Sequence, residues 1–272
     1  MRWLILFAFT GFYLTVCAMG YNYHECPVST AMGNTHTCIY SPYRGNNVSS
    51  LALDSVPNVQ VFYQNKATLP SLGLYDLGLV YPSKHINIAI KGNYHGFEAY
   101  SEFSVQCHFA KFFKPYIALA LQVGYQGLYQ SPKDGYWHTG SVDIGLMAFP
   151  TKQLRVGFSV LNVSFSPFVK SPQKIAIPTV FSVGAAYVIA RKIVLTAEVQ
   201  KAIDQPFAYA IGMDYQVVKA WNIRAGLYIC SELTPCLGIG FKWDSFRCDV
   251  AFQYHLATGL NSCIGLVYTW ND

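Results

Sequence analysis

The chain has 272 residues, of which 52% are hydrophobic, 16% aromatic and only 12% charged, and its formal net charge is +5 at pH 7. A soluble domain usually carries about twice that share of charged residues, so the composition argues against an ordinary soluble domain. The net charge is too small to indicate a nucleic acid as a partner.

Residues 1–20 are predicted to be a signal peptide. Arg2 is followed by an uncharged apolar run that ends at Val16, and the small residues Ala18 and Gly20 could allow cleavage. The run is too short to span a bilayer comfortably as a permanent helix. We therefore expect the chain to be exported.

Residues 21–57 differ from everything that follows them. They are rich in Asn, Ser, Thr, Gly, Pro and Cys and show no sustained alternation of apolar and polar residues. We interpret them as an irregular, hatch-like segment that either plugs a barrel or lies at its periplasmic mouth. Asn46, Asn47 and Leu51 are the candidate hatch residues for contact with a ligand.

Seven cysteines remain once Cys17 leaves with the signal peptide, and an odd number leaves at least one thiol without an intramolecular partner. Cys230 and Cys236 bracket a hairpin, and Cys26 and Cys38 flank part of the N-terminal segment. Each pair could form a disulfide. The alternative is that all of them serve as small apolar residues.

Two His-x-Cys pairs stand in the same segment, His24 with Cys26 and His36 with Cys38. In an extended backbone residues i and i+2 share a face, so each pair could chelate a metal. Usual zinc spacings are wider, and exported cysteines more often oxidise. We predict no metal site and no cofactor.

From residue 58 to residue 272, apolar residues alternate with small or polar ones in segments of about ten residues, which is typical of membrane-spanning β-strands. Within 116–125, for example, Leu119 belongs to the apolar face and Gln122 to the other. A helix would expose such glutamines to lipid, whereas a strand points them inward.

Charged residues in these segments fall on the non-apolar face, as a lumen requires. They are Asp76, Lys91, Glu98, Glu102, Asp143, Arg155, Glu198, Asp214, Arg224, Lys242, Arg247 and Asp249. They could select a polar solute. We favour the alternative, a network of salt bridges that fills a narrow barrel, because unpaired charges in a confined lumen are costly.

Short connections that each carry a lysine recur along the chain and alternate with longer ones. The short ones are 82–84, 113–115, 150–152, 191–192, 218–220 and 242–244. The sequence therefore predicts an all-β fold, a transmembrane antiparallel up-and-down β-barrel of about fourteen strands with both termini periplasmic. A soluble barrel or sandwich is the alternative, but its polar face would be dense in Lys and Glu.

No catalytic constellation is evident. His95 and Glu98 would face opposite ways on a strand, and Glu102 and His108 would lie about 20 Å apart. The Gly-x-Ser-x-Gly element of many hydrolases is missing from the sequence. We predict that the protein is not an enzyme.

The sequence also resembles a known group of outer-membrane barrels. Residues 31–34, Ala-Met-Gly-Asn, and 46–52, Asn-Asn-Val-Ser-Ser-Leu-Ala, resemble the N-terminal pattern of the fatty-acid-transporter (FadL-like) superfamily, and more narrowly of the PorV/PorQ-like proteins of Bacteroidota. Residues 91–100 and 152–157 are similar to hairpins of that group. Val48 stands where the fatty-acid transporters have proline, and the loops are too short for their substrate-capture elements.

This resemblance implies a non-enzymatic barrel in the bacterial outer membrane, in contact with its lipid. Its PorV/PorQ-like side implies a component of a secretion or envelope-assembly complex with protein partners, and we favour this function because the loops are short and the lumen is crowded with charges of both signs. Its FadL-like side implies a passive transporter of small hydrophobic solutes. A purely structural barrel is the third alternative.

Overall fold

The computed structural model describes residues 26–43, 47–69, 73–130, 135–170, 173–175, 177–203 and 205–270. The predicted signal peptide at 1–20 and the hatch candidate Asn46 lie outside the described residues, as does His24.

Two short helices precede the strands: α1 (Pro27–Ala31) and a 3₁₀-helix (Val48–Leu53). The strands of the first half are β1 (Asn58–Asn65), β2 (Gly73–Tyr81), β3 (Asn87–Phe97), β4 (Tyr100–Phe113), β5 (Ile117–Gln130), β6 (Gly135–Ala148), β7 (Leu154–Leu161), β8 (Phe168–Lys170) and β9 (Gln173–Ile175). Those of the second half are β10 (Val180–Ile189), β11 (Ile193–Ala202), β12 (Phe207–Val218), β13 (Trp221–Ile229), β14 (Leu233–Trp243), β15 (Phe246–His255) and β16 (Gly259–Thr269).

The strands close into an antiparallel barrel. Each wall strand pairs with the next in the chain, and β1 pairs with β16 from Asn58–Thr269 to Asn65–Ser262. The small hairpin β8–β9 lies within the connection between β7 and β10, which pair directly with each other. Sixteen strands less these two leave fourteen in the wall within the described residues. The predicted all-β barrel of about fourteen strands is confirmed.

The two faces of the wall differ as the alternation predicts, and β5 shows this most clearly. Its residues Leu119, Leu121 and Val123 are 40–46% exposed on the outer face. Its residues Ala118 and Gln122 are buried inside. A continuous outer surface of Leu, Ile and Val is stable against lipid and not against water. In the described part of the chain, no helix is long and apolar enough to cross a membrane.

The two ends of the barrel carry different connections. One end, here called the short-turn mouth, holds the turns between β2–β3, β4–β5, β6–β7, β10–β11, β12–β13 and β14–β15. The start of β1 and the end of β16 also lie there, because Asn58 pairs with Thr269. The other end, the loop mouth, holds the connection from 162 to 179, which contains the β8–β9 hairpin. Short turns are usually periplasmic, so this arrangement favours periplasmic termini.

Two predicted boundaries differ from the structure. The strand β14 continues to Trp243, so the turn that follows is formed by residues 244 and 245 instead of 242–244. Asp244 adopts a positive φ of 50°, which aspartate tolerates better than most residues. Likewise β3 continues to Phe97. It includes residues 93–96, where the sequence pattern suggests a connection between strands.

Aromatic side chains pair near both mouths of the barrel. At the short-turn mouth the ring centroids of Trp221 and Phe241 are 4.7 Å apart, and those of Phe246 and Tyr268 are 4.9 Å apart. At the loop mouth Tyr129 and its cross-strand partner Tyr136 are 5.0 Å apart. Such girdles lie at the two interfaces of a membrane barrel.

The closed hydrogen-bond ladder leads to a first prediction. We expect the folded chain to migrate differently on SDS gels before and after boiling, because a closed barrel has no edge strand at which SDS could begin to unfold it. The chain should also fractionate with the outer membrane. Recovery in the soluble periplasm, with a single migration position, would contradict the membrane-barrel interpretation.

Candidate functional site: a plugged lumen

The N-terminal segment lies inside the barrel. Residues 26–43 and 47–54, here called the plug, pack against the inner wall, and every residue of α1 is buried. Asn47 caps the 3₁₀-helix by accepting a hydrogen bond from the Ser49 amide at 3.0 Å. Its Nδ2 donates to the carbonyl oxygens of Thr37 at 2.7 Å and of Leu146, in the wall, at 3.2 Å. One side chain therefore joins both halves of the plug to the barrel.

Leu51, the other hatch candidate in the described chain, is fully buried against wall alanines and Met147. Its carbonyl oxygen accepts a hydrogen bond from Asn87 Nδ2 at 2.8 Å. The contacts that the structure gives Asn47 and Leu51 are internal to the protein, and contact with a ligand stays a prediction for both.

Wall glycines let the plug lie directly on the backbone of the strands. A Cβ atom built on Gly226 would lie 2.2 Å from the Gly33 nitrogen, and one on Gly157 would lie 2.2 Å from the Thr37 oxygen. Seven inward-facing glycines, here called the glycine track, contact plug atoms in this way: Gly145, Gly157, Gly184, Gly212, Gly226, Gly238 and Gly265. Any larger side chain on this track would displace the plug.

A buried carboxylate of the wall holds the plug at its centre. Glu198 Oε2 accepts hydrogen bonds from the backbone amides of His36 at 2.8 Å and Thr37 at 2.9 Å, and from Thr37 Oγ1 at 2.8 Å. Its other oxygen lies 3.0 Å from His36 Nδ1. Hydrogen bonds to a charged group contribute about 1.5–3 kcal/mol each, so Glu198 is the strongest single tether of the plug.

Most of the predicted lumen charges are paired inside the barrel. Arg224 contacts Asp214 through Nε at 2.9 Å and Asp249 through Nη1 at 2.7 Å. Arg247 Nε lies 2.6 Å from Asp249, which also accepts a hydrogen bond from Tyr43 of the plug at 3.0 Å. On the other side of Tyr43, Lys91 donates to the Tyr43 carbonyl oxygen at 3.3 Å and forms a buried pair with Asp76 at 3.1 Å.

Asp143 has a different role, because it holds the long loop-mouth connection. Its Oδ1 accepts from the Asn162 amide at 2.6 Å, and Asn162 in turn binds the Ile177 carbonyl through Nδ2 and accepts from Thr179 Oγ1 through its own carbonyl. Asn162 adopts a positive φ of 53°. Gln122 donates to the second oxygen of Asp143.

Four other predicted lumen charges lie at or near the mouths, and one of them, Lys242, is exposed near the end of β14 at the short-turn mouth. Glu102 is half-buried at an inward position of β4 and accepts a hydrogen bond from Tyr100, and Arg155 is half-buried on the inner face of β7. Glu98 corrects the prediction: it lies in the exposed turn after β3, because that strand runs on to Phe97. The register places His95 directly opposite Glu102, a cross-strand pair that sequence spacing did not suggest.

Neither of the two possible disulfides is formed in the structure, and Cys26, Cys38, Cys230 and Cys236 are all free thiols. Cys236 pairs in register with Gly226, four residues before Cys230, so the two cysteines are about 13 Å apart along the strand. A disulfide needs Cα atoms about 4.4–6.8 Å apart. Cys26 contacts Ser29 and Ser41, whereas Cys38 donates to the Gly184 carbonyl of the wall at 3.0 Å. In the described residues no three His, Cys, Asp or Glu side chains are arranged to hold a metal ion.

An apolar cluster lies beneath the loop mouth. Phe168 and Ile177 of the long connection pack on Leu128 and Trp137 of the wall, and all four are at least 90% buried. A cross-strand contact between β6 and β8 fixes the connection in this position. Apolar side chains thus cover the part of the loop mouth beside β5 and β6.

A cavity of about 680 Å³ lies on the outer wall near mid-height. Gly92 of β3 points outward, between Leu77 and Val105 on the neighbouring strands, and a Cβ built there would have no atom closer than 3.9 Å. Exposed apolar and aromatic side chains surround this notch, here called the lipid-facing groove: Val61, Tyr75, Leu77, Tyr94, Val105 and Leu266. The hydrogen-bond ladder is continuous behind it.

Comparison with known proteins gives likeness in structure only. No family model and no curated protein matches the sequence. The toluene transporter TodX of Pseudomonas putida superimposes with a TM-score of 0.67 at 12% identity, over 92% of this chain and 99% of that one. A FadL homologue of Pseudomonas aeruginosa gives 0.59 at 10% identity, over 90% and 96%.

The outer-membrane protein Omp33 of Acinetobacter baumannii gives a TM-score of 0.54 at 11% identity, over 80% of this chain and all of that one. The first two neighbours are named as a transporter and a FadL homologue, and none of the three is named as an enzyme. At these identities the likeness extends to the fold alone: the chain shares the barrel fold of FadL-type outer-membrane proteins.

Proposed function

We propose that the chain is an outer-membrane channel for small hydrophobic solutes and that the plug closes it in the state described. The lipid-facing groove carries this proposal, because it is an open, apolar depression large enough to seat a small molecule. Its surroundings are apolar and aromatic, which suits a solute of the same character. TodX, whose barrel is similar in structure, is a toluene transporter, and toluene belongs to this class of solute.

The arrangement of charge supports an apolar solute over an ion or a sugar. Inside the barrel, paired charges and the seated plug occupy the lumen near Glu198 and Arg224. A hydrated ion would have to displace these pairs, whereas a hydrophobic solute in the groove would exchange directly with the membrane interior. The apolar cluster around Trp137 provides similarly apolar surroundings at the loop mouth.

A pair of matched variants tests this function. Gly92→Leu should fill the groove without a clash, and we expect it to slow the uptake of a small apolar fluorophore such as N-phenylnaphthylamine by cells that express the barrel. Gly140→Leu is the control, since Gly140 also faces outward and a Cβ there would lie 3.7 Å from its nearest neighbour. Equal uptake by both variants and the original chain would contradict a role for the groove.

A role in envelope assembly is the second candidate. The seated plug favours it, since a subunit that another protein holds needs no path through its lumen. The resemblance to PorV/PorQ-like proteins points the same way. If this candidate is right, the tagged chain isolated from the outer membrane in mild detergent should bring a stable protein partner with it, and cells should take up the fluorophore no faster than cells without the barrel.

A further inference from the structure

A basic pocket lies at the short-turn mouth, on the opposite side of the barrel from the lipid-facing groove. It has a volume of about 220 Å³ and lies among β11, β12, β13, β14 and the start of β15. Six cationic side chains converge on it from three neighbouring turns and the strands beside them: Arg191, Lys192, Lys219, Arg224, Lys242 and Arg247.

Part of this charge is neutralised within the protein. Arg224 is bound by Asp214 and Asp249, and Arg247 is bound by Asp249. Asp214 also accepts a hydrogen bond from Asn222 at 2.7 Å, so its carboxylate already has two partners. At the base of the pocket, the positive charges of two arginines are therefore neutralised by the negative charges of two aspartates.

The positive charges of the remaining four side chains are not neutralised in this way. Arg191, Lys192, Lys219 and Lys242 are all exposed, and none of them takes part in a salt bridge of the described chain. Four like charges around one small cavity raise the local potential, and an anion there would be attracted by all of them.

A second observation at the base of the pocket is independent of these surface charges. Arg224 is 1% exposed, and its Nη2 has no hydrogen-bond partner among the described residues. Gly240, its neighbour on β14, places only backbone against this guanidinium, since a Cβ there would lie 2.7 Å from Nη2. A buried N–H group without an acceptor is costly, so an oxygen ligand in the pocket would remove a real penalty.

We propose that this pocket binds a small multivalent oxyanion of the phosphate class. The strand residues that line it, such as Asp214 and Arg224, occupy inward positions, so the pocket opens to the aqueous mouth and a free anion is the expected source. The headgroup of an anionic phospholipid in the adjacent leaflet has the same chemistry and is separated from a free anion by the test below.

The test uses the full-length protein in an uncharged detergent, with inorganic pyrophosphate as the probe in isothermal titration calorimetry. The pocket variant removes three exposed lysines: Lys192→Gln, Lys219→Gln and Lys242→Gln. The control variant removes the same charge from other turns of the same rim: Lys84→Gln, Lys114→Gln and Lys152→Gln. We expect saturable binding that the pocket variant weakens roughly tenfold and the control leaves unchanged.

Heat-modifiable migration shows that each variant is folded before it is titrated. An absence of saturable binding to the original chain, or equal weakening by both variants, would overturn the proposal. The same titration, repeated with the protein in lipid nanodiscs, then identifies the source of the anion. Unchanged binding in phosphatidylglycerol and phosphatidylcholine discs supports a free anion, and loss of binding in the phosphatidylglycerol discs alone supports occupation of the same pocket by a headgroup.

Discussion

Arginine in place of Val123 is expected to prevent most of the chain from assembling. Val123 lies midway along β5, between Cys107 and Val142 on the neighbouring strands, and its side chain is 46% exposed on the outer face. An arginine at the centre of the membrane costs roughly 2–4 kcal/mol in a barrel of this kind. The measurement is the amount of heat-modifiable protein in the outer membrane, which should fall to a small fraction of the original.

The matched control is Gln122→Arg, one residue away on the inner face. Its guanidinium would lie beside Asp143, which already binds Gln122, so the new charge has a partner. We expect most of this variant to assemble. Leu119→Arg should be intermediate, because Leu119 lies only two residues from the start of β5, nearer the membrane interface. Equal loss at positions 122 and 123 would show that the assignment of the two faces is wrong.

Removal of the Glu198 carboxylate is expected to free the plug. Glu198→Ala leaves the buried amides of His36 and Thr37 without their acceptor, and each buried donor left unsatisfied costs about 1–3 kcal/mol. The readout is Cys38, which is 2% exposed and follows these residues directly. Burial raises the pKa of its thiol to about 12, so in the seated plug it should not react with a water-soluble maleimide at neutral pH.

In the Glu198→Ala variant we expect Cys38 to become labelled within minutes, as peptide mapping by mass spectrometry would show. Glu232→Ala is the control, since this partly exposed carboxylate near the loop mouth contacts His255 and no plug residue among the described contacts. Equal protection of Cys38 in both variants would mean that Glu198 does not hold the plug.

The fold was largely predictable because a membrane-spanning strand needs apolar residues on its lipid-facing side and tolerates polar residues on its lumen-facing side. Leu121 and Gln122 differ in exposure for the same reason that they differ in polarity: one faces hydrocarbon and the other the lumen. The alternation therefore predicted the faces directly, and the lysine-bearing turns predicted the strand order. Turn boundaries such as Asp244 were less certain, since the last residues of a strand lie in the interface, where both faces tolerate polar groups.

The way the plug is seated was harder to predict. Gly212 and Gly226 belong to the face of small and polar residues. The alternation of residues along the strands is the same whether that face lines a water-filled lumen or supports the backbone of the plug. Inward glycines on several strands were the available indication. The tether at Glu198 joins residues 162 positions apart in the chain, a contact that no local pattern encodes.

The sequence could not decide between disulfides and free thiols for a related reason. Sequence proximity suggested that Cys230 and Cys236 could meet across a hairpin, but pairing in a β-hairpin depends on register, and the register places Gly226 opposite Cys236. The lumen charges at Asp214 and Arg224 lie on the inner face, as their strand positions indicated. The basic pocket above them depends on three turns that adjoin once β11 to β15 have paired in order.

The central claim is that the plug closes a channel, and single-channel recording in planar bilayers tests it most directly. The intact monomer should show no steady conductance, because the plug rests on the glycine track and is tethered by Glu198. A chain that lacks residues 21–57 and still shows heat-modifiable migration should give stable open channels. A steady conductance from the intact monomer, or silence from the folded deletion variant, would contradict the account.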